Sequence, residues 1–391
     1  MEKKKVRYAI IGIGKMGSTH ARKLLKGIDK NALLTAVCDI SEERKAWAKN
    51  TLSGVRFFDD YKDLLVQKDV DAVIVATPHY LHPVIAKEAL IAGKHVLIEK
   101  PAGVYTKAIR ELNELAASLP EQVFGIMYNQ RTNPLYKKAK EIIESGQMGQ
   151  IKRINWIITN WYRPQAYYDQ GGWRGTWSGE GGGVLINQCP HQIDLFQWLG
   201  GMPERVRGFT HAGVRRRINV ENDVTFYTEY ANGASGVFVT STHDYPGTNR
   251  LEISGDGGRL VIEQHLLSEK LTFNKLGVSE TEFNLNNTKF MPLIPSKTIR
   301  KRTGTLTNAV RLGIVGQHAN IIRNFSRAIL FKEPLVAPGA DGIRGLMLSN
   351  AVHLSGWLGG KELTLPIDEE LFIAELEKRI GEEAAQSGAN A

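Results

Sequence analysis

The glycine spacing Gly12-Ile13-Gly14-Lys15-Met16-Gly17 constrains this chain more than any other feature, because of what stands on either side of it. Val6 to Gly12 is a short, nearly continuous apolar run, the pattern of a strand buried on both faces of a parallel sheet. The run passes straight into the glycines, and a helix from His20 to Leu25 follows. In such a unit the first glycine permits a tight turn, the second lets backbone approach a pyrophosphate, and the third lets helix and strand pack closely. The N–H groups at the helix start then face the phosphates.

A second strand, Leu33 to Val37, ends at Cys38-Asp39, the distance at which an acid meets the adenosine ribose. A carboxylate there accepts from a free 2′-hydroxyl and repels a 2′-phosphate, so Asp39 favours NAD. Ser41 and Arg44 lie close enough to leave NADP as the alternative. The rhythm continues through strands at Ala72 to Ala76, His95 to Ile98 and Val123 to Met127, with helices from His82 to Ala92 and Thr106 to Ser118. This alternation predicts an α/β fold with an open, doubly wound sheet. Loops at the carboxyl ends of such strands line the ligand crevice. Thr77, Pro78, His79 and His82, Glu99 and Lys100, and Asn129 therefore join Gly12, Ile13, Gly14, Lys15, Met16, Gly17 and Asp39 as cofactor-binding candidates.

A second constellation lies at Gly181 to Asp194, GGGVLINQCPHQID. Pro190 suits the first turn of a helix whose apolar stripe is Ile193, Leu195, Phe196 and Leu199 and which stops at Gly200-Gly201. His191 is thereby fixed at a helix start, with Asn187 four residues before it. A histidine in this position alone is commonly a satisfied structural residue.

Taken together, these segments resemble the Gfo/Idh/MocA family of sugar and cyclitol oxidoreductases. Glu99-Lys100-Pro101 matches its EKP motif, and Gly181 to Asp194 is similar to its GGGxxxDxxxHxxD segment, with Asn187 in place of the usual aspartate. The resemblance runs from Val6 to about Pro366. It implies a Rossmann domain followed by an α/β domain with a large, mostly antiparallel open sheet that often carries an oligomer interface, here of a homodimer or homotetramer. It also implies that Lys100, Asn187 and His191 surround the reacting carbon, and that the reaction is hydride transfer between a secondary hydroxyl and a nicotinamide. The substrate class is then a sugar, cyclitol, anhydrosugar or glycoside. Two alternatives remain: an NAD-dependent glycosidase working by transient oxidation and elimination, and a dinucleotide-sensing regulator without turnover. The chemistry of the residues agrees with the first reading. His191 has the intrinsic pKa of a base that takes a hydroxyl proton, and Lys100 can stabilise developing alkoxide charge. The Asn187 amide cannot titrate, so it can only orient His191 or bind substrate.

Residues 1–128 are assigned to the nucleotide domain, 129–380 to the substrate and oligomerisation domain, and 381–391 to a disordered tail. Between the strand at Ile151 to Ile158 and the glycine run lies a loop dense in aromatic and arginine residues. Such side chains suit the C–H faces and hydroxyls of a polyol. Arg131, Tyr162, Arg163, Tyr167, Trp173, Arg174, Asn187, His191 and the weaker His243 are the substrate candidates. The formal net charge is +9, but the basic runs Lys297 to Arg302 and Arg215 to Arg217 are expected in loops as solvated surface, without a nucleic-acid-reading motif. The pattern shows no metal-ligand spacing, no apolar run long enough for a membrane and no signal peptide. Two cysteines, Cys38 and Cys189, read as thiols in a reducing, cytoplasmic setting.

Overall fold

Six short apolar segments build the first sheet of the computed structural model, which describes residues 5–265, 268–287, 294–303 and 316–389. They are β1 (Val6–Ile11), β2 (Ala32–Cys38), β3 (Arg56–Phe58), β4 (Ala72–Val75), β5 (His95–Ile98) and β6 (Phe124–Ile126), in the order β3-β2-β1-β4-β5-β6 with every ladder parallel. The order reverses at β1, and in a doubly wound sheet ligands bind outside the carboxyl ends of the strands at that switch point. Continuous burial along β4 and β5 explains why these strands show no alternation in sequence. The helix after the glycines is longer than its apolar pattern suggested: it spans Lys15–Leu25, starting inside the glycine spacing itself.

The chain divides into two compact units, Met1–Thr132 with Gly316–Leu346, and Asn133–Val315 with Met347–Ala391. A single boundary near residue 128 therefore misses a return. The helix Gln317–Phe331 comes back to the first unit, where Phe325 packs against the Tyr8 ring and Ser326 Oγ lies 2.9 Å from Tyr8 Oη. Nothing local at Gln317 signals that return, because both units present apolar faces to amphipathic helices.

The second unit is organised around a nine-stranded sheet in the order β14-β13-β12-β11-β7-β10-β9-β8-β15. Its strands are β7 (Ile151–Ile158), β8 (Arg205–Ala212), β9 (Glu221–Glu229), β10 (Ser235–Ser241), β11 (Asn249–Gly255), β12 (Gly258–His265), β13 (Ser268–Leu276), β14 (Ser296–Thr303) and β15 (Leu363–Thr364). All ladders are antiparallel except β7 with β10. The basic run Lys297 to Arg302 lies within β14 rather than in a loop, paired along β13. Arg215 to Arg217 do fall between strands.

On one face, Phe226 and Phe238 stack at 4.9 Å and Phe196 meets each edge-on at 5.7 Å. Each such ring pair contributes on the order of 1 kcal/mol beyond its area burial. Phe196 belongs to the helix Pro190–Gly200, so this cluster fixes the segment that begins at His191.

The expected disordered tail is a correction. The last helix runs Glu369–Ala389. Glu383 is buried, and its carboxylate accepts from Trp177 N, Ser178 N, Ser178 Oγ and Asn219 Nδ2 at 2.7–3.0 Å. An alanine-rich composition hid one polar residue that anchors the segment.

Candidate active site

In the first unit, the glycine loop has the shape that its spacing requires. Gly12 sits at φ +84, and a Cβ on Gly17 would lie 1.9 Å from Gly12 O, so helix and strand approach as closely as only glycine allows. A Cβ at Gly14 would meet nothing within 4 Å, and the helix that starts at Lys15 and Met16 has no side-chain cap. Its amides are left for an anion. Asp39 holds the loop from β2: Oδ2 accepts from Ile13 N at 2.8 Å and Oδ1 from Ser41 N at 3.0 Å. Ser41 caps the next helix, its side chain accepting from Arg44 N. Each Asp39 oxygen retains a lone pair for a ribose hydroxyl.

At the ends of β4 and β6, Thr77 Oγ1 and Asn129 Oδ1 are buried with no hydrogen-bond partner among the described residues. Orphaned polar atoms in a crevice of this kind suit a polar ligand, and with the glycine cradle they fit a dinucleotide. His82 does not belong to that set. It is buried with Nδ1 2.7 Å from Pro101 O and Nε2 2.8 Å from Thr77 O, tying together the loops that carry Thr77 and Lys100. Pro78 is exposed and His79 buried in the same loop. The Glu99 carboxylate lies beneath Lys100, accepting from Lys100 N at 3.1 Å and standing 2.6 Å from His20 Nε2. Burial pushes Glu99 up, but His20, His318 and Lys100 outweigh it and hold the carboxyl well below its ordinary range. Burial pushes His318 down to about 4, and its ring lies within 3.3 Å of Asn129 Nδ2. His20 and His318 were not legible in the sequence, since each sits on a helix remote from β5.

Arg131 takes a structural place rather than a binding one. It is 1% exposed, with Nη1 2.6 Å from Asp341 Oδ2 and 3.3 Å from Val336 O. The guanidinium fastens the returning segment to the first unit.

In the second unit, the glycine run is seated by Glu221 of β9, whose carboxylate accepts from Gly183 N at 2.8 Å and Leu185 N at 3.0 Å. A Cβ on Gly183 would stand 1.8 Å from Glu221 O, so the run passes against the strand backbone. It continues as a π-turn, Val184–Gln188, that carries Asn187, and the helix with His191 starts directly after Cys189. Cys189 is buried with Sγ 3.0 Å from Thr240 Oγ1. In the other unit, burial and the Asp39 charge push the Cys38 thiol up to about 12.

Around Asn187 the aromatic and arginine loop converges. Tyr167 Oη receives Arg174 Nη1 at 2.7 Å, Asn187 Nδ2 at 3.3 Å and Gln188 Nε2 at 3.5 Å. The Arg174 guanidinium lies 4.7 Å from the Tyr167 ring centroid and 4.5 Å from that of Trp173, and Arg163 stands 5.1 Å from Tyr167. Asn187 Nδ2 also donates to Glu180 Oε1. Glu180 was missed: it ends the short turn Trp177–Glu180, whose cap is Thr176 and whose N–H groups Glu383 anchors. A carboxylate placed immediately before three glycines is the signal that could have found it. Two expected residues stand in neighbouring clusters. Tyr162 meets Tyr245 edge-on beneath Arg216, and His243 Nε2 lies 2.9 Å from Asp223 Oδ2.

Residues 6–126 match the model of an oxidoreductase family with an NAD-binding Rossmann fold, and residues 136–261 match the GFO/IDH/MocA C-terminal domain. The chain belongs to the Gfo/Idh/MocA family. Its first unit is that family's NAD-binding Rossmann fold. The myo-inositol 2-dehydrogenase of Thermotoga maritima is 26% identical over 65% of this chain and 74% of its own length. The inositol 2-dehydrogenase of Salmonella typhimurium is 29% identical over 50% of this chain, which spans only 54% of that enzyme. Among solved structures, the WlbA dehydrogenase of Bordetella pertussis, in complex with NADH and UDP-GlcNAcA, is 26% identical with a TM-score of 0.74, covering 93% of this chain and all of its own. Levoglucosan dehydrogenase in complex with NADH shares the fold with a TM-score of 0.77 at 20% identity, over 93% of this chain and all of its own. Among the described residues, no helix is long and apolar enough to cross a membrane and no group of metal-ligating side chains is assembled.

Proposed function

We propose that the protein is an NAD-dependent dehydrogenase that oxidises a secondary hydroxyl of a sugar, cyclitol, anhydrosugar or glycoside. The observation that carries this reading is the cluster on the second unit: Tyr167, Arg174, Gln188, Asn187 and Glu180 gather polar groups and an aromatic face immediately before His191. Planar hydrogen-bonding groups beside an aromatic ring match the alternating hydroxyls and C–H faces of a polyol. Relatives that act on inositol, and a structural neighbour solved with NADH and a nucleotide sugar, support the substrate class.

In this reading Asp39 accepts from the ribose hydroxyls and sets the preference for NAD over NADP. The amides at the start of the Lys15–Leu25 helix meet the pyrophosphate, and Thr77 and Asn129 supply polar contacts at the strand ends. When bound, the nicotinamide supplies a two-electron acceptor. His191 takes the hydroxyl proton, because an unperturbed imidazole titrates near the working pH. Lys100 stabilises negative charge on the substrate oxygen. Asn187 holds a hydroxyl by hydrogen bonding and takes no proton. A panel of sugars, inositols and glycosides incubated with NAD tests the reading. NADH formation with at least one member supports it, and tight NAD binding without turnover on any member refutes it.

A further inference from the structure

Glu180 is 1% exposed, yet its carboxylate is fully engaged. Oε2 accepts from Gly175 N at 2.8 Å, and Oε1 accepts from Asn187 Nδ2. An ionised carboxylate can only accept, so the Asn187 amide must turn its nitrogen toward Glu180. Tyr167 Oη, 3.3 Å from the same nitrogen, accepts from it in that orientation. Because the amide is planar, its carbonyl oxygen points away from Glu180. We propose that Glu180 is a positioning residue: by accepting from Asn187 Nδ2 it makes Oδ1 the atom that position 187 offers to a substrate hydroxyl. Glu180 thereby supplies, through a neighbour, the acceptor that a carboxylate at position 187 would supply directly. The inference rests on the dehydrogenase reading above and names how its substrate site is set.

The arrangement also gives the site a pH dependence. Facing Glu180 are Arg174, with Nη1 at 3.9 Å; Tyr168 on the Gln165–Tyr168 helix; and Glu221 on β9, itself 3.0 Å from His353 Nε2. Glu383 caps the start of the same short turn. Burial pushes Glu180 up to about 7, Gly175, Asn187 and Arg174 pull against it, and Glu221 adds to the rise. Below that pH a proton is added. The Gly175 N–H favours the bare oxygen at Oε2, so the proton goes to Oε1, which becomes a donor. The amide must then turn over, and position 187 presents N–H in place of its oxygen. Substrate binding is therefore favoured above pH 7 and weakens as pH falls through it.

Glu180→Gln tests this without changing shape. The new carbonyl accepts from Gly175 N, and the new amino group faces Asn187, which is forced into the inverted orientation at every pH. The expected result is a rise in substrate KM of about 10- to 100-fold, the equivalent of leaving one buried hydrogen-bonding group without its partner. The dependence of KM on pH near 7 disappears, kcat changes less and NAD affinity is retained. Combining Glu180→Gln with Asn187→Asp reverses the donor and acceptor and restores an oxygen toward the substrate, so KM returns to within about tenfold of wild type. An unchanged KM and profile in the single variant, or a double variant no better than the single one, overturns the proposal. A second readout needs no turnover and separates this inference from the function: the side-chain amide NMR resonance of Asn187, identified by its loss in Asn187→Ala, should titrate near pH 7 in the wild type. An Asn187 resonance unchanged between wild type and Glu180→Gln at high pH overturns the proposal even when no substrate is known.

Discussion

Replacing Asp39 with alanine separates two jobs that one carboxylate performs. In the free protein the side chain accepts from Ile13 N at 2.8 Å and from Ser41 N at 3.0 Å. Ile13 is fully buried, so its N–H loses a partner that water does not readily replace; an orphaned buried donor costs about 1–3 kcal/mol. The Ser41 amide is nearer solvent and costs less. In the NAD complex the same oxygens would also accept from the ribose, and hydrogen bonds to a charged group contribute about 1.5–3 kcal/mol each. Loss of one such bond raises the NAD dissociation constant by about 10- to 150-fold. NADP responds differently, because removing the carboxylate also removes its repulsion of the 2′-phosphate, so the two effects offset. Calorimetric titration of wild type and variant with both nucleotides, beside urea unfolding of each protein, reads all three quantities. The expected outcome is tighter NAD than NADP binding in the wild type and a ratio that narrows at least about tenfold in the variant. Equal weakening of both nucleotides would show that Asp39 acts only through the glycine loop, and tighter NADP binding by the wild type would refute the assignment.

His191→Ala should lower turnover by about two to four orders of magnitude while leaving NAD affinity nearly unchanged; retained turnover that is instead abolished in Lys100→Ala transfers the base role to the lysine. Arg131→Ala should destabilise the protein by about 3–5 kcal/mol in urea unfolding, since it leaves Asp341 without its buried partner. The substrate KM of the folded fraction should stay near the wild-type value, and a raised KM with intact stability would restore the substrate role. Glu383→Ala should cost about 2 kcal/mol or more by orphaning Trp177 N and Ser178 N, and should lower activity by loosening the turn that carries Glu180. No change in either quantity would contradict the anchoring role.

What was legible in the sequence was local. The glycine spacing, Asp39 at the end of the next strand and Pro190 at a helix start each follow from a few neighbouring residues whose backbone demands are strong. Five strands of the first sheet followed from short apolar runs, whereas β3, with Arg56 exposed and Phe57 and Phe58 half-buried, has no such run and was not read. What escaped depends on contacts far apart in the chain. Arg131 looked like a substrate ligand because the residue that neutralises it, Asp341, lies 210 positions later. The terminal helix looked disordered because Glu383 gains its role from Trp177, Ser178 and Asn219, far away in the chain. Asn187 stood out in the sequence, but its partner Glu180 lies across a glycine run, where periodicity carries no information. Strands β8, β13 and β14 were obscured by polar and basic residues that one exposed face of a sheet tolerates.

The central claim is hydride transfer from a substrate carbon. Once the panel yields a substrate, its carbinol position can be deuterated and the reaction run with excess NAD, following reduced nucleotide and oxidised product together. The account predicts one deuterated NADH for each ketone formed, with both lost in His191→Ala. Product released without accumulation of reduced nucleotide, at a catalytic amount of NAD, would contradict a dehydrogenase and favour elimination through transient oxidation.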